Sequence, residues 1–450
     1  MKKASILGGL ALSGIPALKS FAETTTPRHL MANDATRNWD VIVIGGNLAG
    51  CAAAIAAAKA GATTLLIESG DTLDDSSCQL MTIQNHFKNK TNSIYQGITE
   101  NVLLDSADNQ LKSGKIESWL PVSFVRLKNT YLSLLNQAGV NTLFDSRVVE
   151  VKKRKQGIVD SVIVAHNTAI NHYKARVFID CTSNAAVAAW AEAPFLEEGQ
   201  IAKELFESEV SFVVGNIDYY NYNFCFNRNQ QETAKVIEAI SQSKEYPALK
   251  NLIFKNRLIH SSVIQFYTQY GLRDKFDSVK EKMDAKIIAD QTLAAFREYF
   301  PETFGSAFLI EAASRVKRAV PLRIKGDYTF TIDDYTDRRS FLDEIGRNNY
   351  FADNGRSDTE HILYKENESH GIPYGIMTPV GLKNLLVAGE SVSVDYRMAN
   401  SFRQLPLCLT TGEAAGIAAA RVVKMRHSDI RQVNIALIQR GLRKDDQNLI

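Results

Sequence analysis

The sequence predicts an α/β chain in which one parallel-sheet domain is assembled from segments at the two ends, with an α+β domain inserted between them. Three observations lead there. A strand, a glycine-rich turn, a helix of small residues and a second strand occupy residues 39–68. A block of the same style, a short apolar strand ending in glycine and then a small-residue helix, occupies residues 384–423. Between them, residues 200–370 hold more aromatics, alternate helical with strand-like patches, and carry no nucleotide motif. A chain of 450 residues is too long for one ordinary core, so two joined domains are expected.

The first residues read as a targeting segment. Lys2-Lys3 precede an apolar, small-residue run from Ala4 to Leu18, and Ser20-Phe21-Ala22 offers a small-x-small cleavage site before Glu23. The run is shorter than the roughly 20 residues that span a bilayer. Export through the general secretory route, to the periplasm or beyond, is the expectation, because no twin arginine precedes the run. The alternative is a disordered tail with an accidental apolar stretch. Residues 1–22 are thus read as a signal peptide and 23–37 as a polar linker.

Val41-Ile42-Val43-Ile44, ended by Gly45, is a β-branched run that fits a strand buried on both faces of a parallel sheet. Gly50 to Gly61 is almost all alanine, a helix able to pack closely on a sheet and stopped by glycine. Thr63 to Glu68 gives a second strand. Residues 69–120 resist assignment. Residues 126–139 pattern as a helix, and short strands follow at 142–144, 148–151, 158–164 and 177–179. Residues 38–199 are read as the N-terminal part of the sheet domain, 200–370 as the inserted substrate domain, and 371–450 as the C-terminal part.

The turn between the first strand and helix carries the dinucleotide fingerprint of a Rossmann-like fold. That fingerprint places glycine at the tight turn, where backbone nears the pyrophosphate, and where helix meets strand. Gly45 and Gly50 fill the first and third places; Asn47 stands at the second, with Gly46 one residue early. Asn tolerates positive φ better than most residues, but directs a side chain toward the phosphates. The helix N-terminus beside Ala49 supplies unpaired N–H groups and the positive end of a dipole. Glu68 ends the second strand about 20 residues beyond Gly45, where a carboxylate accepts from ribose hydroxyls.

At the other end, Leu385 to Val387 deliver Ala388, Gly389 and Glu390, and the helix is expected to open at Gly412, with Ala415 and Gly416 facing the cofactor. An N-terminal motif alone would fit NAD; the paired C-terminal block points to FAD, since such amides stabilise negative charge on a reduced flavin.

Both ends resemble the FAD-dependent oxidoreductases of glutathione-reductase-like topology, in particular a bacterial group often found in exported proteins. The resemblance runs over residues 38–70, 120–195 and 305–425. It rests on Gly371-Ile372-Pro373-Tyr374, on Asn384 through Gly389, on Ser401-Phe402-Arg403 with Pro406 and Cys408, and on Gly412 through Gly416. Ser314-Arg315 and Gly326-Asp327-Tyr328 look like the family's return from the substrate domain. The resemblance implies FAD held at Gly45, Gly50, Glu68, Gly389 and Gly416, with chemistry at flavin N5; Gly46, Asn47, Ala49, Glu390, Gly412 and Ala415, which lie in the same turns, join them as candidate cofactor-binding residues. It also implies cofactor contacts at Asp180 and Thr182, where the family's Ala-Thr-Gly-Asp-like turn has become Cys181-Thr182-Ser183-Asn184. A non-catalytic relative that keeps the scaffold as a binding or assembly protein is the alternative those departures raise.

For acid–base work on a small organic substrate the candidates are His370 and Tyr374, with Arg403 to anchor a carboxylate or polarise a flavin carbonyl. His361 is a weaker one. Each also has a plain reading as a surface histidine, a core tyrosine or an ion-paired arginine. Five cysteines with no C-x-x-C pair support neither zinc nor a disulfide framework, and Cys78 has no partner cysteine in sequence. No metal-ligand cluster is seen. A net charge of +2 and the lack of a basic stripe exclude a nucleic-acid footprint.

Overall fold

The computed structural model describes residues 37–73, 80–84, 119–197, 208–250, 252, 254–270, 278–312, 322–348, 364 and 368–444. The leader, Cys78, Ser314-Arg315 and His361 lie outside the described residues.

β1 (Asn38–Ile44) leads through α1 (Leu48–Lys59) to β2 (Thr64–Ile67). An antiparallel pair, β3 (Leu80–Gln84) with β4 (Trp119–Ser123), lies in the stretch that resisted assignment. Then come α2 (Phe124–Ala138), β5 (Asn141–Leu143) and a meander of β6 (Ser146–Arg154), β7 (Ile158–His166) and β8 (Ala169–Asp180), closed by α3 (Ala186–Trp190). The strands form a seven-stranded sheet in the order β5-β2-β1-β8-β7-β6. The C-terminal strand β15 (Leu385–Val387) completes it by pairing parallel with the end of β8. β5, β2, β1, β8 and β15 run parallel, and β6 and β7 antiparallel.

The β1 run is buried on both faces as a central parallel strand should be. Val41 and Val43 join the core under α1, while Ile42 and Ile44 join the core on the opposite face with Val162, Val164 and Ala188. Its alanines let α1 bury every residue from Ala49 to Ala57. It ends in a Schellman motif: Gly61, at φ +97°, donates to the Ala58 carbonyl and Ala62 to that of Ala57.

The inserted unit is a four-stranded antiparallel sheet ordered β10-β11-β9-β12. Its strands are β9 (Ser208–Gly215), β10 (Phe254–His260), β11 (Val263–Tyr270) and β12 (Phe308–Ala312). Helices α4 (Tyr219–Tyr222), α5 (Gln230–Gln242), α6 (Ser278–Tyr299) and α7 (Pro301–Phe304) accompany it. Phe212, Phe266, Phe296, Phe300 and Phe304 form its aromatic centre, with rings 5.2 Å apart between Phe266 and Phe296.

Two boundaries differ from expectation. The chain rejoins the first domain by Ile324, not at 371: Ile324 bridges to Phe195, and Phe330, Ile332, Tyr335 and Ile345 share the α1 core. The hairpin of β13 (Glu344–Asn348) and β14 (His370–Pro373), with α8 (Ile332–Thr336) before it, therefore belongs to the sheet domain. The C-terminal helix does not open at Gly412. After α9 (Ala399–Phe402), α10 runs Leu405–Lys424, started by Pro406 in its first turn, and α11 (Ile435–Lys444) packs on it.

Candidate nucleotide and flavin site

Four segments meet at the carboxyl ends of β1, β2, β8 and β15, the crevice where open parallel sheets place ligands. Gly45 turns the chain out of β1 at φ +100°, and a Cβ there would lie 2.8 Å from the Cys181 carbonyl oxygen. Gly50 sits so close beneath that a Cβ would stand 1.8 Å from the Gly45 oxygen. Both positions need glycine, the first for conformation and contact, the second for contact alone.

Glu68 follows the last residue of β2 at this crevice. Its carboxylate accepts from the Gly46 N–H, from the Gly70 N–H at 2.7 Å and from the Ser69 hydroxyl at 3.0 Å. Three donors from the turn and the strand end fix the carboxylate against the α1 turn.

Asn47 takes a role that the fingerprint did not suggest. Its backbone is extended, with φ −77° and ψ −176°, so no left-handed conformation is required of it. Its side chain is the N-cap of α1: Oδ1 accepts from the Gly50 N–H at 3.1 Å while Nδ2 donates to the Cys181 carbonyl at 2.5 Å.

Asp180 and Thr182 are committed to their own turn. Asp180 is wholly buried; it accepts from the Thr182 N–H and hydroxyl on one oxygen and from the Ala188 N–H on the other. Burial raises its carboxyl above the usual range, against the pull of those bonds. Thr182 Oγ1 in turn accepts from the Ala186 N–H. The side-chain atoms expected to touch the cofactor here instead knot β8 to α3.

The C-terminal block arrives on β15. Ala388 donates to the Asp180 carbonyl, and Gly389, at φ +87°, donates to the Thr411 hydroxyl at 3.0 Å. A Cβ on Gly389 would meet the Ala49 side chain at 3.1 Å, so this turn rests on the first turn of α1. Glu390 follows half-buried, and the Ser391 hydroxyl beyond it is buried with no partner among the described residues. Thr411 and Ser391 were not singled out in the sequence, where a hydroxyl in an apolar run carries no marker of its use.

Gly412, Ala415 and Gly416 lie inside α10, with Gly412 about two turns from its start, so their amides belong to the helical ladder. The two glycines serve a helix crossing. A Cβ on Gly412 would stand 2.2 Å from the Ala49 oxygen, and one on Gly416 2.2 Å from the Ala53 oxygen.

Of the acid–base candidates, His370 is fully buried, packed against Phe330 and Tyr335. Tyr364 gives its hydroxyl proton to the Tyr335 carbonyl, so it must accept from His370 Nδ1–H, 2.8 Å away. Burial first, then the nearby Arg347 charge, pushes His370 down to about 3. Tyr374 is buried too, and its hydroxyl donates to the Ile430 carbonyl at 3.1 Å. Burial holds its phenol far above the usual range. Neither side chain is placed to exchange a proton with a bound molecule, which corrects the expectation for both. Arg403 caps α9 and is half-buried.

The residues present fit a dinucleotide. Bare glycine backbone, the α1 N-terminus with no acidic residue in its first turn, and a fixed carboxylate at the end of β2 make a phosphate-and-ribose cradle.

The family described as FAD dependent oxidoreductase matches residues 40–442. No curated protein matches the sequence. Among solved structures, the chain is similar to a geranylgeranyl bacteriochlorophyll reductase-like protein from Thermoplasma acidophilum, with 12% identity and a TM-score of 0.47 over 91% of this chain and 82% of that one. It is similar also to OxyS anhydrotetracycline hydroxylase from Streptomyces rimosus (12%, 0.47, 91% and 66%). The figures for p-nitrophenol 4-monooxygenase PnpA from Pseudomonas putida DLL-E4 are 10%, 0.46, 90% and 84%. Likenesses this distant say nothing about substrate.

Proposed function

The chain belongs to the FAD-dependent oxidoreductase family, and from that premise we propose that it moves a hydride between a small organic substrate and flavin N5. The observation that carries this reading is the meeting of the two ends. Gly389, delivered by β15, rests on Ala49 in the first turn of α1, so the phosphate cradle and the C-terminal turn form one surface. FAD, when bound, supplies the two-electron chemistry. The chain's own groups hold and orient it: the α1 N-terminus faces the pyrophosphate, Glu68 the adenosine ribose, and Glu390 the ribityl hydroxyls. Arg403 anchors an anionic group of the substrate or polarises a flavin carbonyl. His370 and Tyr374 drop out as acid–base groups, so the proton is left to the substrate's own chemistry or to solvent.

Within the family we place the chain with the glutathione-reductase-like topology, supported by the β6-β7-β8 meander, whose last strand pairs parallel with β1. We also propose export, supported by Lys2-Lys3, the apolar run and Ser20-Phe21-Ala22. Among the described residues no helix is long and apolar enough to cross a membrane. A mature chain whose mass begins at Glu23 would support export; an intact leader in the native compartment would contradict it.

Hydride transfer is tested with FAD-loaded protein under anaerobic conditions. A substrate should bleach the flavin absorbance, and deuterium at the reacting C–H should slow that bleaching several-fold. Bleaching with no isotope effect in single turnover contradicts a hydride step.

A further inference from the structure

The second fingerprint position is where this chain departs from the motif, and the departure is built rather than merely tolerated. At φ −77° and ψ −176° any residue could stand there, so the backbone explains nothing about the choice of Asn47. What the residue contributes is its carboxamide. Oδ1 takes the Gly50 N–H, one of the donors that a helix N-terminus otherwise leaves open. Nδ2 reaches across the crevice to the Cys181 carbonyl at the end of β8, the same oxygen on which Gly45 packs. One half-buried side chain thus ties α1 to the turn after β8, over the gap between the ends of β1 and β8.

That is the ground a pyrophosphate would take, because anions sit on helix N-terminal amides. An amide oxygen is a neutral imitation of a phosphate oxygen at such a donor. Resting on the FAD reading of this cradle, we propose that Asn47 is an internal competitor of the cofactor: its carboxamide closes the cradle of the cofactor-free protein and must be displaced when FAD binds. Two consequences follow. The cofactor-free chain is held together at the point where it would otherwise expose an uncapped helix, and the cofactor binds less tightly than the rest of the cradle permits. A chain of this kind survives the interval between folding and loading.

The test compares full-length wild type with Asn47→Gly, Asn47→Ser and Asn47→Asp, using FAD titration by flavin fluorescence and thermal melting of the cofactor-free protein. Asn47→Gly is expected to tighten the FAD Kd about tenfold, since two hydrogen bonds no longer have to be broken. Its cofactor-free melting temperature should fall by a few degrees. Asn47→Ser keeps the cap alone and should lie between the two in both measurements. Asn47→Asp should cap as well as wild type yet weaken FAD more than tenfold by like-charge repulsion. An unchanged or weakened Kd in Asn47→Gly overturns the proposal, because the carboxamide would then be a bystander or a ligand. If Asn47→Gly does not fold, a Kd in Asn47→Ser no tighter than wild type overturns it equally. No flavin bound by any of the four proteins would sink the reading of the cradle itself, a result distinct from binding that the variants leave unaltered.

Discussion

Replacing Gly412 with alanine should drive α1 and α10 apart. A methyl group there would stand 2.2 Å from the Ala49 carbonyl oxygen and 2.9 Å from the Ala49 Cα. Carbon and oxygen in ordinary contact are about 3.4 Å apart, so the helices must separate by about 1 Å or bend. Alanine improves helix propensity over glycine by about 1 kcal/mol, which on an open helix would make the change stabilising. Against that stands overpacking, typically about 1–3 kcal/mol and at the upper end here because the atoms struck are backbone. Dispersion contacts along the alanine face of α1 are loosened as well. The net expectation is about 1–3 kcal/mol of destabilisation, with weaker FAD binding because the N-terminus of α1 shifts with the helix. Chemical denaturation of the cofactor-free protein measures the first, and FAD titration the second. Gly441→Ala serves as the contrast: its Cβ would meet Ile417 Cγ2 at 3.1 Å, a side-chain contact relieved by a shift of a few tenths of an ångström rather than a clash with backbone. That variant should be neutral or more stable. A Gly412→Ala protein as stable as wild type would refute the account of the crossing.

Three further expectations are independent of that one. Glu68→Gln should weaken FAD at least tenfold while leaving the fold intact, since a charge-assisted bond contributes about 1.5–3 kcal/mol; an unchanged Kd would remove Glu68 from the ribose site. Arg347 and Glu344 form a buried ion pair, N to O 3.0 Å, and Arg347 also holds Ser369. Arg347→Met should therefore cost about 3–5 kcal/mol in urea unfolding, and a loss under 1 kcal/mol would contradict the pairing. His370 stays neutral in the folded chain down to about pH 3, whereas unfolded it takes a proton near 6.5. Wild type should then lose up to about 1.4 kcal/mol per pH unit between pH 6 and 4, a loss that His370→Gln should not share. Parallel slopes in the two proteins would contradict the buried neutral imidazole.

The parts of this fold that were legible are those fixed by local chemistry. A run such as Val41 to Ile44 has to be buried on both faces, and an alanine helix stopped by Gly61 has to lie against something flat. Gly45, Gly50 and Glu68 stand at the spacing that one βαβ unit imposes. The parts that were not legible depend on what a segment meets. A helix of small residues reads the same whether it faces a flavin or another helix, and α1 proved to be the neighbour of Gly412 and Gly416. Burial of His370 is settled by Phe330 and Tyr335, some forty residues earlier, and by Tyr364, none of which forms a pattern with it in sequence. Asn47 was ambiguous because a helix N-cap and a phosphate position coincide at one residue, and only the side-chain partners separate the two uses. The domain return near Ile324 was legible only through the resemblance at Gly326-Asp327-Tyr328; the place of β13 in the sheet domain rests on its pairing with β14, which no local pattern announces.

The central claim is that the two ends of this chain build one cradle for a dinucleotide flavin. The most direct measurement is equilibrium titration of the cofactor-free, full-length protein with FAD and, separately, with FMN. The account predicts one FAD per chain and FMN binding at least a hundredfold weaker, because FMN lacks the second phosphate and the adenosine ribose that α1 and Glu68 hold. FMN binding as tight as FAD, or no saturable FAD binding, would contradict it.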